Sequence, residues 1–314
     1  MIGYLTGRLV GTLLTLVGIS ALAFFATALA PGNPASVLLG SMATPERVEA
    51  ITHQLGLDRP LGVRYALWVG QVVQGNLGES NLSHKPVADL LAKALPVTLE
   101  LAFLSLLVAV VVAVPTGLVL AQNRGRWWTE PVTALITIGL SVPGVWVGQL
   151  FIVLFAVTLG WLPSGGYVPF LKSPWDNLRH MILPTAVLAI YLAPALVRFV
   201  RVTAQNVLKE DYIDAAHAKG ISPIRVLLRH VAPNTAINTI TYIGLQLGAL
   251  LSGAIVTEMI FALPGIGRLG LNAVLNRDYP VVQGVVLVAA LGYVMVNLVI
   301  DLAYGLVDPR VRIR

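Results

Sequence analysis

The 314-residue chain is 56% hydrophobic and only 11% charged, against about 25% charged in ordinary soluble domains, so it is not a water-soluble globule. It contains no cysteine, which excludes a disulfide scaffold and cysteine-ligated zinc or iron–sulfur sites. The 21 Lys and Arg exceed the 15 Asp and Glu to give +6. The basic residues fall between apolar runs, however, which is the pattern of membrane topology rather than of nucleic-acid binding.

A helix crossing a hydrocarbon core of about 30 Å needs about 20 apolar residues. Six stretches qualify, at 9–30, 97–121, 132–158, 181–200, 235–260 and 281–304, which predicts an all-α polytopic membrane protein with six spans. The first, Leu9 to Ala30, has 22 residues without a charge, whereas the apolar region of a secretory signal has about 7 to 15. It therefore reads as a spanning helix. Ala28-Leu29-Ala30 imitates a cleavage site, but Pro31 directly after it opposes cleavage. Six spans put both termini on one side. With the N-terminus cytoplasmic, Arg8, Arg124, Arg126, Arg198, Arg201, Lys209, Lys219, Arg225, Arg229, Arg310, Arg312 and Arg314 lie inside, twelve of the 21 basic residues. Five of the other nine belong to the long segment 31–96, where the positive-inside rule is weak. Both termini are accordingly expected in the cytoplasm.

Three parts follow: 1–30 as the first span, 31–96 as an extracytoplasmic segment, and 97–314 as a core of five spans that includes a cytoplasmic loop at 205–234. In the extracytoplasmic segment Thr44 can cap a helix with Pro45 in its first position and Glu46 in its first turn, and Gly56 is placed to end it. A second helix can start at Pro60, with Leu61, Tyr65, Trp68, Val69 and Val72 on one face and Gly75 near its end. Such a face packs on the outer ends of the spans or contacts a delivered substrate or docking protein.

Within the spans Pro115, Pro143-Gly144 and Pro194 each remove a backbone donor and free a carbonyl, which membranes tolerate where neighbouring helices or a cavity satisfy the freed group. Pro143, Gly144 and Pro194 are candidates for a gate or pathway. Gly244, Gly248 and Ser252 recur every four residues in the fifth span, a stripe that lets another helix approach closely. The carboxylates of the spans are Glu100, Glu258 and Asp301. They lie roughly 13 to 15 Å from their span centres at 1.5 Å per residue, close to the edges of the core. Glu100, four residues past Pro96, is expected in the first turns of its helix, where its charge complements the dipole. Glu258, on the outer side, is a candidate for the outer gate.

The stretch from Gln205 to Asn234 is polar, basic and too long for a simple turn. Good helix formers up to Lys219 followed by Gly220 predict a short helix with a stop, then a second helical piece from Ser222 to Val231. Two short helices on the cytoplasmic face make a socket for another protein.

Asp214-Ala215-Ala216, three residues, Gly220 and then Pro233 resembles the "EAA" loop of ABC importer membrane subunits, with Asp214, His230 and Ala232 replacing Glu, Ile and Leu of that pattern. Further motifs are Pro31-Gly32-Asn33-Pro34, Leu55-Gly56-Leu57-Asp58-Arg59-Pro60, Gly75-Asn76-Leu77-Gly78-Glu79-Ser80, Pro96-Val97-Thr98-Leu99-Glu100-Leu101 and Phe261 through Pro264-Gly265-Ile266-Gly267-Arg268-Leu269. Spread over nearly the whole chain, these are similar to the B-type permease of the dipeptide, oligopeptide and nickel importers.

The resemblance implies a permease that pairs with a homologous second permease, two ATPase subunits carrying ATP and Mg, and an external substrate-binding protein. It assigns Asp214, Ala215, Ala216 and Gly220 to the ATPase interface. The two alanines permit close approach, Gly220 lets the chain turn, and Arg225 and Arg229 can pair with partner carboxylates. The implied cargo is peptide, with nickel-chelate, glutathione or another small solute as alternatives. A phosphate-binding loop needs G-x-x-x-x-G-K-[S/T], and none of Lys85, Lys93, Lys172, Lys209 or Lys219 follows a glycine, so no enzyme activity and no cofactor are expected in this chain. The five histidines show no metal-ligand spacing. The competing reading, a proton- or sodium-driven secondary transporter, requires ionisable residues near the bilayer midplane, where the three span carboxylates do not lie. A non-transporting membrane scaffold is a third reading, which the kinked spans and the socket disfavour.

Overall fold

A computed structural model describes residues 2–29, 39, 44–54 and 56–307; side-chain surroundings within these are described except at 2–6, 8, 9, 54, 140, 141, 247–249, 251–253 and 297–307. Pro31-Gly32-Asn33-Pro34, Leu55, Arg310, Arg312 and Arg314, and the side chains of Arg8, Gly248, Ser252 and Asp301, therefore lie outside the described residues.

The described chain is helical, with a single isolated bridge between Glu79 and Pro86. The helices are α1 (Ile2–Ala28), α2 (Pro45–Gln54), α3 (Leu61–Val73), α4 (Val87–Gln122), α5 (Thr129–Ser141), α6 (Gly144–Phe151), α7 (Pro174–Val207), α8 (Asp211–Ala218), α9 (Pro223–Val226), α10 (Ala232–Ile260), α11 (Ile266–Leu275) and α12 (Tyr279–Val307). Wider π-type turns continue α6 through Ile152–Thr158 and join α9 to α10 through Leu227–Val231.

Among the described residues α1, α4, α7 and α12 are long and apolar enough to cross a membrane singly. The expected third span is broken: α5 and α6 bend by more than 40° at Val142-Pro143, and the pair makes a fifth crossing if taken as one. Pro143 supplies the reason, since it has no amide hydrogen to continue the α5 ladder and its fixed φ of −60° opens α6 instead. The expected fifth span corresponds to α10, 29 residues long.

The structure departs from expectation at the start of α4 and in a helix after α10. Helix α4 begins at Val87, not near 97, because Pro96 is absorbed into the helix interior. Glu100 thus lies well beyond the first turn, and the dipole role expected for it does not hold. Helix α11, absent from the sequence reading, follows Pro264-Gly265 as a short apolar helix of 10 residues, too short to cross.

The chain divides into two compact units, residues 1–97 with 264–295 and residues 98–263 with 296–314. In the first, Val87, Leu91 and Ala94 of α4 share a core with Ile266 and Ala273 of α11 and Val281 of α12. The Asp278 carboxylate, 4% exposed, accepts from Ser80 Oγ at 2.6 Å and from the Asn81 amide at 3.0 Å, pinning the 77–86 loop to the start of α12. Thr44 Oγ1 accepts from the Arg47 amide at 3.4 Å as the expected cap of α2. The predicted apolar face of α3 packs on the protein: Tyr65 and Trp68 lie 5.5 and 5.6 Å from the Phe24 ring of α1.

In the second unit α7 runs through the core and packs on α4, α5 and α10. The rings of Phe199 and Tyr242 stack at 4.2 Å between α7 and α10. At Gly117 of α4 an added Cβ would come within 2.7 Å of Val200 on α7, so the two helices meet at backbone distance only because this position has no side chain.

Candidate functional site

The 208–231 stretch folds as predicted into two short helical pieces around a glycine turn. Helix α8 ends at Ala218, Gly220 takes φ +74°, and its amide donates to the His217 carbonyl at 2.9 Å while the Ile221 amide reaches back to Ala216 at 3.2 Å. A left-handed residue at this place closes the helix, and glycine adopts it without Cβ strain.

What holds the segment is apolar. Ile213 and Ala216 of α8, Val226 of α9, and Leu227 and Val231 of the π-type turn are all buried. They belong to one cluster with Ala113, Leu118, Leu120 and Ala121 of α4 and Leu196, Val197, Val200 and Ala204 of α7. The spacing of Ile213 and Ala216 puts both on the inward face of α8.

The opposite face is presented to the outside. Asp214, Ala215, Gly220, Arg225 and Arg229 are exposed, as are Tyr212 at 44%, Ile224 at 58% and Leu228 at 63%. Of the two motif alanines, Ala215 is thus at the surface, whereas Ala216, 6% exposed, serves the internal core. Among the described residues neither Arg225 nor Arg229 has a carboxylate partner. The result is a rigidly seated surface of one aromatic, two aliphatic and several charged side chains of both signs.

At the far end of α10 the same unit contains a tight turn. Glu258 is fully buried and accepts from Thr98 Oγ1 of α4 at 2.6 Å. Its backbone carbonyl accepts from the Leu263 amide at 2.9 Å, across a turn in which Ala262 has φ +52°. The Phe261 carbonyl accepts from the Gly166 amide at 2.8 Å, and an added Cβ at Gly165 would lie only 2.5 Å from that oxygen. The 159–173 loop is further held by Tyr167, whose hydroxyl donates to Glu100 at 2.7 Å, and by Asn177 of α7, which donates to the Val168 carbonyl at 2.9 Å. Burial, then the Glu100 hydrogen bond and charge, push the Tyr167 phenol up from 10 to about 12. Glu258 and Glu100 therefore both anchor this turn-and-loop assembly, and no sequence signal marks the Tyr167 or Gly166 contacts.

The remaining gate candidates separate. Pro194 is buried in α7, with its ring 3.7 Å from a Cβ built at Gly139 of α5, whereas Pro143 is exposed at the α5–α6 break. Gly144 is half-buried and begins α6. Gly244 is buried in α10, and its stripe partners Gly248 and Ser252 lie outside the described side chains. Among the described residues no group of three or more His, Cys, Asp or Glu side chains is placed to hold a metal.

Residues 113–313 match the family model of the binding-protein-dependent transport system inner membrane component, and residues 1–102 match its N-terminal companion. The chain belongs to this family. It is the permease subunit of an ABC importer rather than an enzyme, ATP hydrolysis residing in separate ATPase subunits. It is 42% identical over 294 residues, 94% of both chains, to a putative peptide transport system permease protein of Brucella abortus (strain 2308). To the glutathione transport system permease protein GsiC of Escherichia coli (strain K12) it is 38% identical over 312 residues, 99% of both. Among solved structures it resembles an inward-facing MetNI methionine ABC transporter, with a TM-score of 0.59 and 19% identity, covering 70% of this chain and 96% of that one. This likeness is one of fold. An importer permease of this family works with ATPase and binding-protein partners in the membrane.

Proposed function

We propose that this chain forms half of the translocation path of an ATP-driven peptide importer, with six spans and both termini cytoplasmic. It pairs with a homologous second permease, receives its cargo from an external binding protein, and docks on one of two ATPase subunits through the 208–231 segment. The observation that carries the docking assignment is the two-faced build of that segment: Ile213, Ala216, Val226, Leu227 and Val231 lock it to α4 and α7, while Tyr212, Ala215, Ile224 and Leu228 face outward without an internal role. Isolated exposed apolar residues need no explanation, but a cluster on a rigid, charged rim is the composition of a docking patch.

Peptide cargo is supported by the similarity to the Brucella permease. The similarity to the glutathione permease favours a second reading within the same chemistry, since glutathione is itself a modified tripeptide.

The test is uptake into proteoliposomes loaded with ATP, using the assembly purified from native membranes and labelled dipeptide, oligopeptide and glutathione offered with the binding protein. Ala215→Trp should abolish uptake while leaving membrane insertion normal, because Ala215 is exposed on the helical backbone of α8 and the bulk meets only the partner. Unchanged uptake by this variant would remove the docking assignment. Uptake without ATP, from a chain purified free of ATPase subunits, would instead support an ion-driven carrier.

A further inference from the structure

The first unit contains a cavity of about 600 Å³ that the transport reading does not use. Its walls come from the last turns of α1 (Phe24, Thr27), from Arg59 and Arg64, from Trp68 of α3, and from Glu79 in the pinned loop. Phe24 and Thr27 lie at the end of the apolar stretch Val10–Ala28, which is long enough to cross a membrane. The cavity therefore sits where a span leaves the hydrocarbon core, at the level of lipid headgroups.

Its chemistry is cationic and aromatic. The Arg64 guanidinium is half-buried, donates to the Leu57 carbonyl at 3.4 Å and lies 6.0 Å from the Phe24 ring centroid. Among the described residues neither Arg64 nor Arg59 has a carboxylate partner. A guanidinium carries five N–H donors, so most of those on Arg64 are available to an anion from the cavity. Glu79 is exposed on the same wall. Two guanidiniums and one carboxylate suit a phosphate that has an ammonium beside it.

The surface next to the cavity is apolar. Val10, Leu13, Leu14 and Val17, spaced to share one face of α1, are 55, 60, 67 and 57% exposed. They form the lipid-facing side of a span, against which acyl chains can lie. A peptide in transit would have no use for such a flank, which favours a lipid over cargo.

We propose that this cavity binds the headgroup of a membrane phospholipid, with its phosphate on Arg59 and Arg64, its ammonium toward Glu79 and its acyl chains along the exposed side of α1. Phosphatidylethanolamine has the matching headgroup. The site fastens α1 and α3 to the bilayer surface.

The experiment is native mass spectrometry of the purified importer assembly in detergent, titrated with phosphatidylethanolamine and, separately, with diacylglycerol of the same chains, inorganic phosphate and a dipeptide. One phosphatidylethanolamine per copy of this chain should be retained. Arg59→Ala and Arg64→Ala should each weaken retention about tenfold or more, the loss of a charge-assisted hydrogen bond to phosphate. Gln71→Glu, which keeps both arginines but adds a carboxylate to the cavity wall, should weaken it as well, and all three variants should keep their partner subunits. Equal retention by wild type and variants, or diacylglycerol binding as tightly as the phospholipid, would overturn the proposal. Displacement of the lipid by inorganic phosphate would show an anion site without lipid specificity, and displacement by the dipeptide would assign the cavity to cargo; either result also overturns it.

Discussion

Substituting Ile213 by Ala separates the anchoring of the 208–231 segment from its proposed contact with a partner. Ile213 is fully buried and belongs to the cluster shared by α4, α7, α8 and α9. Truncation to Ala at such a site costs about 2 to 5 kcal/mol, the removed methylenes plus the cavity they leave. Helix α8 has only eight residues, and a helix so short is held by packing rather than by its own ladder. The cost should therefore appear as local release of 211–220 rather than as global unfolding. At 2 kcal/mol the open population rises about 30-fold, so the amides of Lys219 and Gly220, bonded to Ala215 and His217, should exchange with deuterium at least that much faster, with the spans unchanged. Tyr212→Ala, at a 44% exposed neighbour, should leave exchange near wild type in the isolated chain yet reduce ATP-driven uptake. Hydrogen-exchange mass spectrometry on the detergent-solubilised chain reads both. Exchange in Ile213→Ala within threefold of wild type would refute the claim that this cluster seats the segment.

Two further outcomes concern the 159–173 loop. Burial first and then Glu100 raise the folded pKa of the Tyr167 phenol from 10 to about 12, so the stability that its neutral form contributes is fully present below pH 10 and is lost as pH rises from 10 towards 12; thermal melts across that range should fall more steeply for wild type than for Tyr167→Phe, and parallel curves would show that the phenol is not shifted. Gly165→Ala should destabilise by about 1 to 3 kcal/mol because its Cβ meets the Phe261 carbonyl at 2.5 Å, whereas Gly160→Ala, with φ +63° and open space around it, should cost about 1 to 2 kcal/mol from backbone strain alone. The two differ in kind: Gly165→Ala should also free the Gly166 amide to exchange, and Gly160→Ala should not.

Much of this architecture is legible in the amino-acid sequence, because the features that announce it are local. Charge-free runs mark spans, Gly220 marks a helix stop, and Tyr65 with Trp68 at helical spacing marks the face that meets α1. What stays hidden depends on partners distant in sequence. Pro96 looks like a helix boundary, yet α4 starts at Val87 because Val87, Leu91 and Ala94 find a core on α11 and α12, and packing overrides the local break. Tyr167 and Glu100 are 67 residues apart, so neither reveals the other. The motif Asp214-Ala215-Ala216 is visible in the sequence, but that Ala216 turns inward while Ala215 turns outward follows only from where α4 and α7 stand. Helix α11 stays hidden because ten residues with two glycines carry too weak a pattern to stand out from a loop.

The geometry of the second unit also bears on how a push at one end reaches the other. From Leu227 the chain runs without a loop through the π-type turn into α10 and on to Ile260, and 29 helical residues at 1.5 Å each make α10 about 43 Å long. Its N-terminal end is continuous with the 208–231 segment, and its C-terminal end is the turn at Glu258 to Leu263 that holds the Gly166 amide. A helix is stiff along its axis, and its most compliant point is the junction at Leu227–Val231, where wider turns replace the regular ladder. If that junction were soft, displacement of α8 would dissipate there; the burial of Leu227 and Val231 in the α4–α7 cluster opposes such bending. Under the docking proposal, movement imposed on the exposed face of α8 is passed to α10 and α7 as one packed body, and the turn at Phe261 is tied to the same body through Thr98 and Gly166.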